Sequence, residues 1–274
     1  MDAARHFAFP TVRTAGPERP FVWLRLGWQD LCANPLASLS YGLAFALMGA
    51  LLDYVFRNAI EYLAALTMGF LLVGPLLCIG LYDLSRQRAR GERPRLLPSL
   101  AAWRSNLGAI GIYVLMISII CLLWARGSLV VFAVFYTQGL PTVNDFAHSV
   151  LSFDNLPFLV WWFGEGLIFG GLVFALSVVS IPYLIDTQVD AVTAGAASVL
   201  TLARNRATMA VWALLIVILI VAGFASLFLL LVLTAPVIGH ATWHVYRELI
   251  EPGQPTAALA TVASTAEPET LSPP

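Results

Sequence analysis

The chain has 274 residues, of which 59% are hydrophobic and 11% are charged, and its formal net charge is -1. Ordinary soluble domains carry roughly a quarter charged residues, and a soluble fold of this size could not bury so much apolar surface. The low net charge also argues against a nucleic-acid partner, because phosphate binding needs a concentrated positive field. We therefore expect an all-α membrane protein whose first partner is the lipid bilayer.

The two ends of the chain differ in composition from the apolar middle. Residues 1–20 are polar and contain Arg and Pro without periodicity, and residues 251–274 are rich in Pro, Thr, Ala and Glu. Such segments bury too little apolar surface to fold. We expect a disordered cytosolic arm at residues 1–20, a disordered cytosolic tail at residues 251–274, and a single polytopic membrane domain at residues 21–250.

Long apolar runs predict about six transmembrane helices in this domain. A hydrocarbon core of about 30 Å needs about 20 apolar residues. Four runs of that length cover residues 36–56, 62–81, 107–125 and 158–185. Residues 207–246 contain no Asp, Glu, Lys or Arg and are long enough for two more helices, with a turn at residues 223–226.

The third run is too long for one upright helix, because its apolar character continues past Arg126 to Tyr136. We expect this helix to leave the membrane near Arg126. Residues 126–137 then form either an outer-surface helix or a re-entrant segment.

The distribution of Arg predicts the orientation, because positive charge is retained on the cytoplasmic side. Residues 1–35 hold four Arg and residues 82–106 hold six, whereas residues 137–157 hold none. All basic residues are Arg and none is Lys, which is typical of a GC-rich bacterial genome. We expect a multi-pass protein of the bacterial cytoplasmic (inner) membrane with both termini cytosolic.

Three approximate repeats, at residues 21–86, 96–190 and 191–250, share a common plan. Each begins with a short helical segment that ends at an Asn, and each returning helix contains a Pro; these residues are Asn34, Asn106, Asn205, Pro75, Pro182 and Pro236. Because every unit starts and ends on the same side, the units should be parallel. The predicted fold is three parallel helical hairpins, each preceded by a cytosolic interfacial amphipathic helix.

The first of these amphipathic helices shows the clearest pattern. Phe21, Leu24 and Trp28 fall at helical spacing on one face, with Arg25 and Asp30 elsewhere. We expect this helix to lie in the headgroup plane, with the apolar face toward lipid and the polar face toward water.

Several motifs resemble a known family. They are Gly27-Trp28-x-Asp30-Leu31-x-x-Asn34-Pro35, Gly69-Phe70-Leu71-Leu72-Val73-Gly74-Pro75, Gly80-Leu81-Tyr82-Asp83-Leu84-Ser85-Arg86, Ser177-Val178-Val179-Ser180 with Asp190-Ala191, and Gly239-His240-Ala241-Thr242-Trp243-His244-x-Tyr246-Arg247. The sequence resembles uncharacterised bacterial integral membrane proteins that form a domain of unknown function, sometimes mislabelled as a cytochrome c oxidase subunit. The resemblance implies membership and supplies no catalytic residues.

His240 and His244 are candidates for a metal site. They are four residues apart on one predicted helix, so both imidazoles point to the same face, and two neutral His can bind a divalent metal or ligate haem. Asp83 and Asp186, from the other repeats, could complete the ligands. The alternative, which we favour, is an interfacial helix end whose His lie among headgroups, since the Glu of a His-Glu-x-x-His motif is absent.

Arg126 and Glu165 form a candidate intramembrane polar pair. Glu165 lies inside or near the outer end of the fourth predicted span, where a lone charge costs about 2.5 to 3.5 kcal/mol on insertion scales. An ion pair with Arg126 would satisfy both charges. The alternative is a titrating carboxylate on an ion or proton path.

Three functional hypotheses follow from these residues. The first is a non-enzymatic inner-membrane protein that acts in membrane organisation, assembly or stress adaptation. Such a protein would form a homo-oligomer or bind another membrane protein. The second is a small-solute or ion transporter or channel, and the third is a metal- or haem-binding protein that uses His240 and His244. The sequence contains no phosphate loop, Ser-His-Asp order or paired-carboxylate motif that would make an enzyme the leading hypothesis, and the third hypothesis leaves enzymatic activity open.

A measurement of bound metal tests the third hypothesis. If His240 and His244 bind metal or haem, the purified protein should contain it in stoichiometric amounts, and His240→Ala should remove it. Elemental analysis and an absorption spectrum would show this. Metal-free, colourless protein from metal-supplemented cells would contradict the hypothesis.

Overall fold

Helices account for nearly all of the residues that the computed structural model describes, which are residues 10–58, 63–136 and 152–251. In chain order the elements are β1 (Thr11–Val12), α1 (Arg19–Ala33), α2 (Pro35–Asn58), α3 (Leu63–Ala89), α4 (Leu96–Leu100), a 3-10 helix (Ala102–Asn106), α5 (Leu107–Phe135), α6 (Leu156–Ser177), α7 (Ser180–Asp186), α8 (Ala191–Arg204), α9 (Arg206–Ala225), α10 (Leu231–Leu249) and β2 (Ile250–Glu251).

Four helical segments in the described part of the chain are long and apolar enough to cross a membrane. They are Pro35–Asn58, Ala102–Phe135, Leu156–Asp186 and Arg206–Ala225. An all-α membrane protein, as the composition predicts, is therefore the fold class. Two further helices, α3 and α10, would bring the number of spans to six, and that number stays a prediction.

The prolines of the three predicted returning helices have different effects on the backbone. Pro75 lies inside α3 and Pro236 inside α10 without ending either helix. In the second unit the helix stops at Ser177, and Pro182 lies in the first turn of the separate helix α7. Proline is tolerated in a first turn, because the amide that it lacks has no intrahelical partner there.

The course of α5 bears on the segment after Arg126, which was expected to be either an outer-surface helix or a re-entrant segment. It continues without a break from Leu107 to Phe135, a length of 29 residues. At 1.5 Å per residue such a helix is about 43 Å long, which exceeds a hydrocarbon core of about 30 Å. The described backbone favours a helix that continues beyond the membrane over a re-entrant segment, and residue 137 lies outside the described residues.

Large side chains that are fully buried concentrate on one side of the molecule. This side, which we call the polar layer, comprises α1, α4, the 3-10 helix, α7, α8, and the adjoining ends of α3, α9 and α10. Its core contains Trp23, Tyr183, Trp212, Trp243 and Tyr246. In the most apolar stretch of each spanning segment, by contrast, only 22% to 44% of the residues are buried. Tight packing is therefore a property of the polar layer more than of the membrane-crossing part.

Helix α10 is the element around which α1 and α2 pack. A Cβ on Gly27 of α1 would lie 2.6 Å from the carbonyl oxygen of Val237 and 2.7 Å from the amide nitrogen of Ala241. A Cβ on Gly42 of α2 would overlap the carbonyl of Val232. Both glycines thus allow backbones to approach more closely than any side chain would permit.

The expectation of a disordered arm at residues 1–20 is wrong for residues 10–20. Strand β1 pairs antiparallel with β2, so that Thr11 lies opposite Glu251 and Val12 opposite Ile250. The amide of Asn205 donates to the carbonyl of Arg13 at 3.0 Å. Pairing with a strand and with a distant Asn orders this segment, and neither interaction has a local sequence signal.

The polar residues of α1 that were expected to face water lie in two environments, because Arg25 is exposed but Asp30 is buried. Phe21 and Trp28 are exposed, whereas Trp23, Gly27 and Asp30 are buried. The buried face packs on α10, so Asp30 lies in a protein interior.

Substitution of Gly27 tests the close approach of α1 and α10. Gly27→Ala should lower the apparent melting temperature in detergent, by an amount equivalent to about 1 to 3 kcal/mol, because the backbone of α10 cannot yield to the new methyl group. Gly111→Ala on α5 is the matched control, since a Cβ there meets no atom within 4 Å. Equal melting temperatures for the two variants would contradict the packing described here.

Candidate functional site

The carboxylate of Asp30 is the centre of a polar cluster in the polar layer. Its Oδ2 accepts hydrogen bonds from Ser85 Oγ at 2.6 Å and His244 Nε2 at 2.9 Å. Its Oδ1 accepts from Arg88 Nη1 at 2.7 Å. Only 8% of Asp30 is exposed. Because each partner is a donor, the geometry fits an ionised carboxylate.

His240 extends this cluster into the core. Its Nδ1 lies 2.7 Å from Ser85 Oγ, and its Nε2 lies 2.9 Å from Ser38 Oγ. Ser85 gives its single hydroxyl proton to Asp30, so it must accept the proton on Nδ1 of His240. A neutral His240 then accepts from Ser38 at Nε2. The chain of hydrogen bonds runs in one direction, from Ser38 to Asp30. We call these six residues, Asp30, Ser38, Ser85, Arg88, His240 and His244, the Asp30 cluster.

The surroundings of Asp30 favour its charged form. Burial is the largest single influence and raises the pKa of the carboxyl group. The hydrogen bonds from His244 and Ser85 act in the opposite direction, and the surroundings in sum hold the pKa of Asp30 below its usual value. The cluster therefore carries a buried negative charge that Arg88 balances.

A second contact fixes the other end of α1 on α10. Arg19 donates from Nε to Oε1 of Glu248 at 2.7 Å and from Nη2 to Oε2 at 2.6 Å. The indole of Trp23 donates to Oε2 at 2.8 Å. A bidentate Arg–carboxylate pair has directional geometry. Helix α1 is thus held on α10 at both ends, with Gly27 at the closest approach between them.

Asp186 joins the ends of three helices. Asp186 is the last residue of α7. Its Oδ2 accepts a hydrogen bond from the hydroxyl of Tyr246 at 3.0 Å and lies 3.3 Å from Nη1 of Arg247, and both of these residues are on α10. Its Oδ1 lies 3.4 Å from Nη2 of Arg90, just beyond α3. Arg86 of α3 also donates to the carbonyl of Ile185. We call this meeting point of α3, α7 and α10 the Asp186 junction.

The four residues predicted to bind metal lie in different contacts. His240 and His244 belong to the Asp30 cluster, Asp186 to its own junction, and Asp83 accepts from Arg86 and Gln87. Within the described ranges, no three His, Cys, Asp or Glu side chains form a group that could hold a metal ion. The metal site stays a prediction.

Within the described part of the chain, no ion pair joins Arg126 and Glu165, the other predicted pair. Oε2 of Glu165 accepts from the hydroxyl of Ser128 at 3.2 Å. Oε1 is buried against Gly127 and has no hydrogen-bond partner within the described part of the chain. Glu165 is therefore packed beside a glycine of α5, and Arg126 is exposed.

Fold and polar contacts together define an all-α integral membrane protein with an ordered polar layer. Residues 63–186 match the model of a family described as "Predicted integral membrane protein (DUF2189)", a domain of unknown function. This match includes the motifs at residues 69–75, 80–86 and 177–180, and over residues 63–186 it confirms the resemblance that the motifs predicted. No curated protein matches the chain, and no solved structure does.

Sequence reasoning found the two His of the Asp30 cluster but missed Asp30, Ser38, Ser85 and Arg88. Asp30 had been assigned to the polar face of an interfacial helix. A signal was present for two of them, because Asp30 and Ser85 lie within the motifs that carry the family resemblance. Ser38 lies in an apolar run and gives no such signal.

Removal of the Asp30 carboxylate tests whether the cluster holds the polar layer together. Asp30→Ala should destabilise the protein by about 1 to 3 kcal/mol, because Ser85 and His244 lose a buried acceptor, whereas the partly exposed Arg88 can turn to water. Thermal unfolding in detergent would measure the loss.

A matched control is Asp53→Ala on α2. Asp53 pairs with Arg57 at i,i+4 spacing, and the two side chains are 40% and 61% exposed. Loss of an exposed helical pair should change stability by no more than about 0.5 kcal/mol. A comparable loss in both variants would show that burial of Asp30 contributes nothing special.

Proposed function

We propose that the protein is a non-enzymatic scaffold of the bacterial inner membrane, which acts in membrane organisation, assembly or stress adaptation. The observation that carries the proposal is the division of the molecule into a tightly packed polar layer and spanning helices that are open to their surroundings. A membrane-anchored platform needs this division, because the ordered layer presents a fixed surface while the helices remain free to meet lipids or other helices.

The exposed faces of the spanning helices support a role in assembly. Leu43 and Leu47 on α2, Ile112 on α5, and Leu167 and Ile168 on α6 all have more than half of their area exposed. In lipid, helices associate through packing and polar contacts, with no hydrophobic drive of their own. These faces can therefore contact lipid, a second copy of the chain or another membrane protein at little cost.

Burial of the Asp30 cluster supports a structural role over catalysis. Ser38 and His240 form a hydroxyl–imidazole pair of the kind that nucleophilic enzymes use. Ser38 has none of its surface exposed and His240 has 1%. A substrate cannot reach this hydroxyl without opening the packing of α1, α2 and α10.

Three similar junctions support the arrangement as three hairpins. Each amphipathic segment ends at an Asn whose side-chain amide donates to a backbone carbonyl of a distant segment. Asn106 donates to Leu184 and Val189 at the end of its own unit, Asn34 to Pro94 just beyond its unit, and Asn205 to Arg13, which follows β1. With the Arg distribution, this supports units that start and end on the cytosolic side, with both termini cytosolic.

Glu165 favours the second candidate function, transport of an ion or a small solute. A buried carboxylate oxygen without a hydrogen-bond partner, in the described part of a membrane-crossing helix, is a default candidate for an ion or proton path. The groove beside it is lined largely by apolar side chains, including Val130, Trp161 and Ile168. An apolar lining provides little for a hydrated ion, so we place transport second.

Flux measurements separate the two functions. Proteoliposomes that contain the wild-type protein should leak protons and potassium no faster than protein-free liposomes, because a scaffold needs no polar path. A pH-sensitive dye and a potassium-sensitive dye inside the vesicles would report the rates. Saturable flux that Glu165→Gln abolishes, and that Asp53→Asn at the exposed end of α2 leaves intact, would replace the scaffold with a transporter.

A further inference from the structure

A cavity of about 570 Å³ opens in the polar layer where α3 ends and the chain passes toward α4. Four of its lining side chains are arginines, namely Arg86, Arg90, Arg93 and Arg95, and two are acids, Asp83 and Glu92. Four positive and two negative side chains leave the lining with a formal charge of +2. A concave, positively charged site raises the local concentration of anions.

The charges at the base of the cavity neutralise one another. Asp83 is almost fully buried, and Arg86 donates to one of its carboxylate oxygens. Gln87 donates from Nε2 to the other oxygen at 2.7 Å. This pair is therefore satisfied within the protein and leaves the rim of the cavity to determine what binds.

The backbone at the rim is fixed by two polar side chains. The buried Gln87 accepts from the amide of Arg95 through Oε1 at 2.9 Å. Asn34 donates from Nδ2 to the carbonyl of Pro94 at 2.9 Å. The segment that carries Arg93 and Arg95 is thus held between α1 and α3, so a ligand would not have to order it on binding.

The guanidinium groups of Arg93 and Arg95 have no acidic partner among the residues that the structure describes. Both side chains are exposed, and neither forms an ion pair with any acid in the described ranges. Arg90 is only loosely engaged, with 3.4 Å to Asp186. Planar guanidinium groups suit phosphate oxygens, which they can bind in a bidentate manner.

Exposed leucines near the cavity favour a position for it at the depth of lipid headgroups. Pro98 of α4 lines the cavity, and its neighbours Leu97 and Leu100 are 80% and 49% exposed. Leu36, at the start of α2, is 83% exposed. Apolar side chains at the ends of membrane-crossing helices favour insertion into the acyl region, which leaves Arg93 and Arg95 level with the phosphates.

We propose that this cavity binds the phosphate group of an anionic phospholipid, with Arg93 and Arg95 as the principal ligands and Arg90 as a third. An anionic lipid supplies both a phosphate for the arginines and acyl chains for the exposed leucines, whereas free phosphate supplies only the first. The proposal does not depend on the proposed function, so it holds for a scaffold and for a transporter, and the flux experiment does not decide it.

Binding of short-chain lipids to the purified full-length protein in detergent tests the proposal. The probes are dioctanoyl phosphatidylglycerol, dioctanoyl phosphatidylcholine and inorganic phosphate, with affinity read by microscale thermophoresis. We expect phosphatidylglycerol to bind most tightly. The double variant Arg93→Gln/Arg95→Gln should weaken its binding about tenfold or more, because two charge-assisted hydrogen-bonding groups are lost.

The control is Arg25→Gln/Arg206→Gln, which removes two exposed arginines of the polar layer outside the cavity. This variant should bind phosphatidylglycerol within about twofold of wild type, because salt and water screen exposed charges that lie outside the cavity. Melting temperatures close to wild type would show that both variants fold. If the pocket variant alone misfolds, the single variant Arg93→Gln replaces it, because within the described ranges the side-chain hydrogen bonds that hold this segment go to the backbone of Pro94 and Arg95.

Three results would overturn the proposal. Equal weakening in the two double variants would indicate diffuse surface charge instead of a site. Equal affinity for phosphatidylglycerol and phosphatidylcholine would remove the preference for an anionic lipid. Inorganic phosphate that binds as tightly as phosphatidylglycerol would transfer the site from a lipid to a soluble phosphate ligand.

Discussion

The buried carboxylate of Asp30 is the interaction on which the polar layer depends. A charge that is 8% exposed must be met by donors from the surrounding elements, and here they come from Ser85 and Arg88 at the end of α3 and from His244 on α10. Satisfying one charge therefore fixes the positions of three helices. Ser38 brings in a fourth, because the hydrogen bonds of His240 connect α2 to the same centre.

The bilayer explains why this polar centre matters more here than in a soluble protein. Between helices in lipid there is no hydrophobic drive to associate, because the acyl chains are as apolar as leucine. The hydrophobic effect can act only where water is the alternative, which is in the polar layer. Trp23, Trp212 and Trp243 are buried there, and the ring centroids of Trp23 and Trp212 are 6.0 Å apart in an edge-to-face contact. The layer can thus order the ends of spanning helices that pack loosely along their length.

The sequence predicted those features that follow from local pattern. Helices α1 and α8 begin within two residues of the start of the expected amphipathic segments. The turn between α9 and α10 covers residues 226–230, and the turn expected there was at residues 223–226. The features that it missed depend on contacts between distant residues. Strand β1 has two residues and pairs with β2, about 240 positions away, so no periodicity reveals it.

Asp30 was missed for a different physical reason. An amphipathic pattern sorts a helix into an apolar and a polar face, and for an isolated interfacial helix these faces meet lipid and water. Helix α1 has a third environment, the surface of α10, which takes one apolar and one charged residue together, Trp23 and Asp30. Such a mixed stripe resembles neither face in a periodicity argument. Its meaning depends on Glu248 and His244, which lie more than 200 residues later.

The arrangement of internal ion pairs also determines the field that the polar layer presents to the membrane. Its buried or half-buried acids are each matched by an arginine: Asp30 by Arg88, Asp83 by Arg86, Asp186 by Arg90 and Arg247, and Glu248 by Arg19. Neutralised acids contribute little at a distance, because each lies within 4 Å of an opposite charge. Among the described residues of this layer, the exposed arginines that form no ion pair include Arg25, Arg93, Arg95, Arg104 and Arg206, and they outnumber the corresponding acids, Glu18, Glu92 and Asp190. A chain with a net charge of -1 can in this way present a positive surface to anionic headgroups.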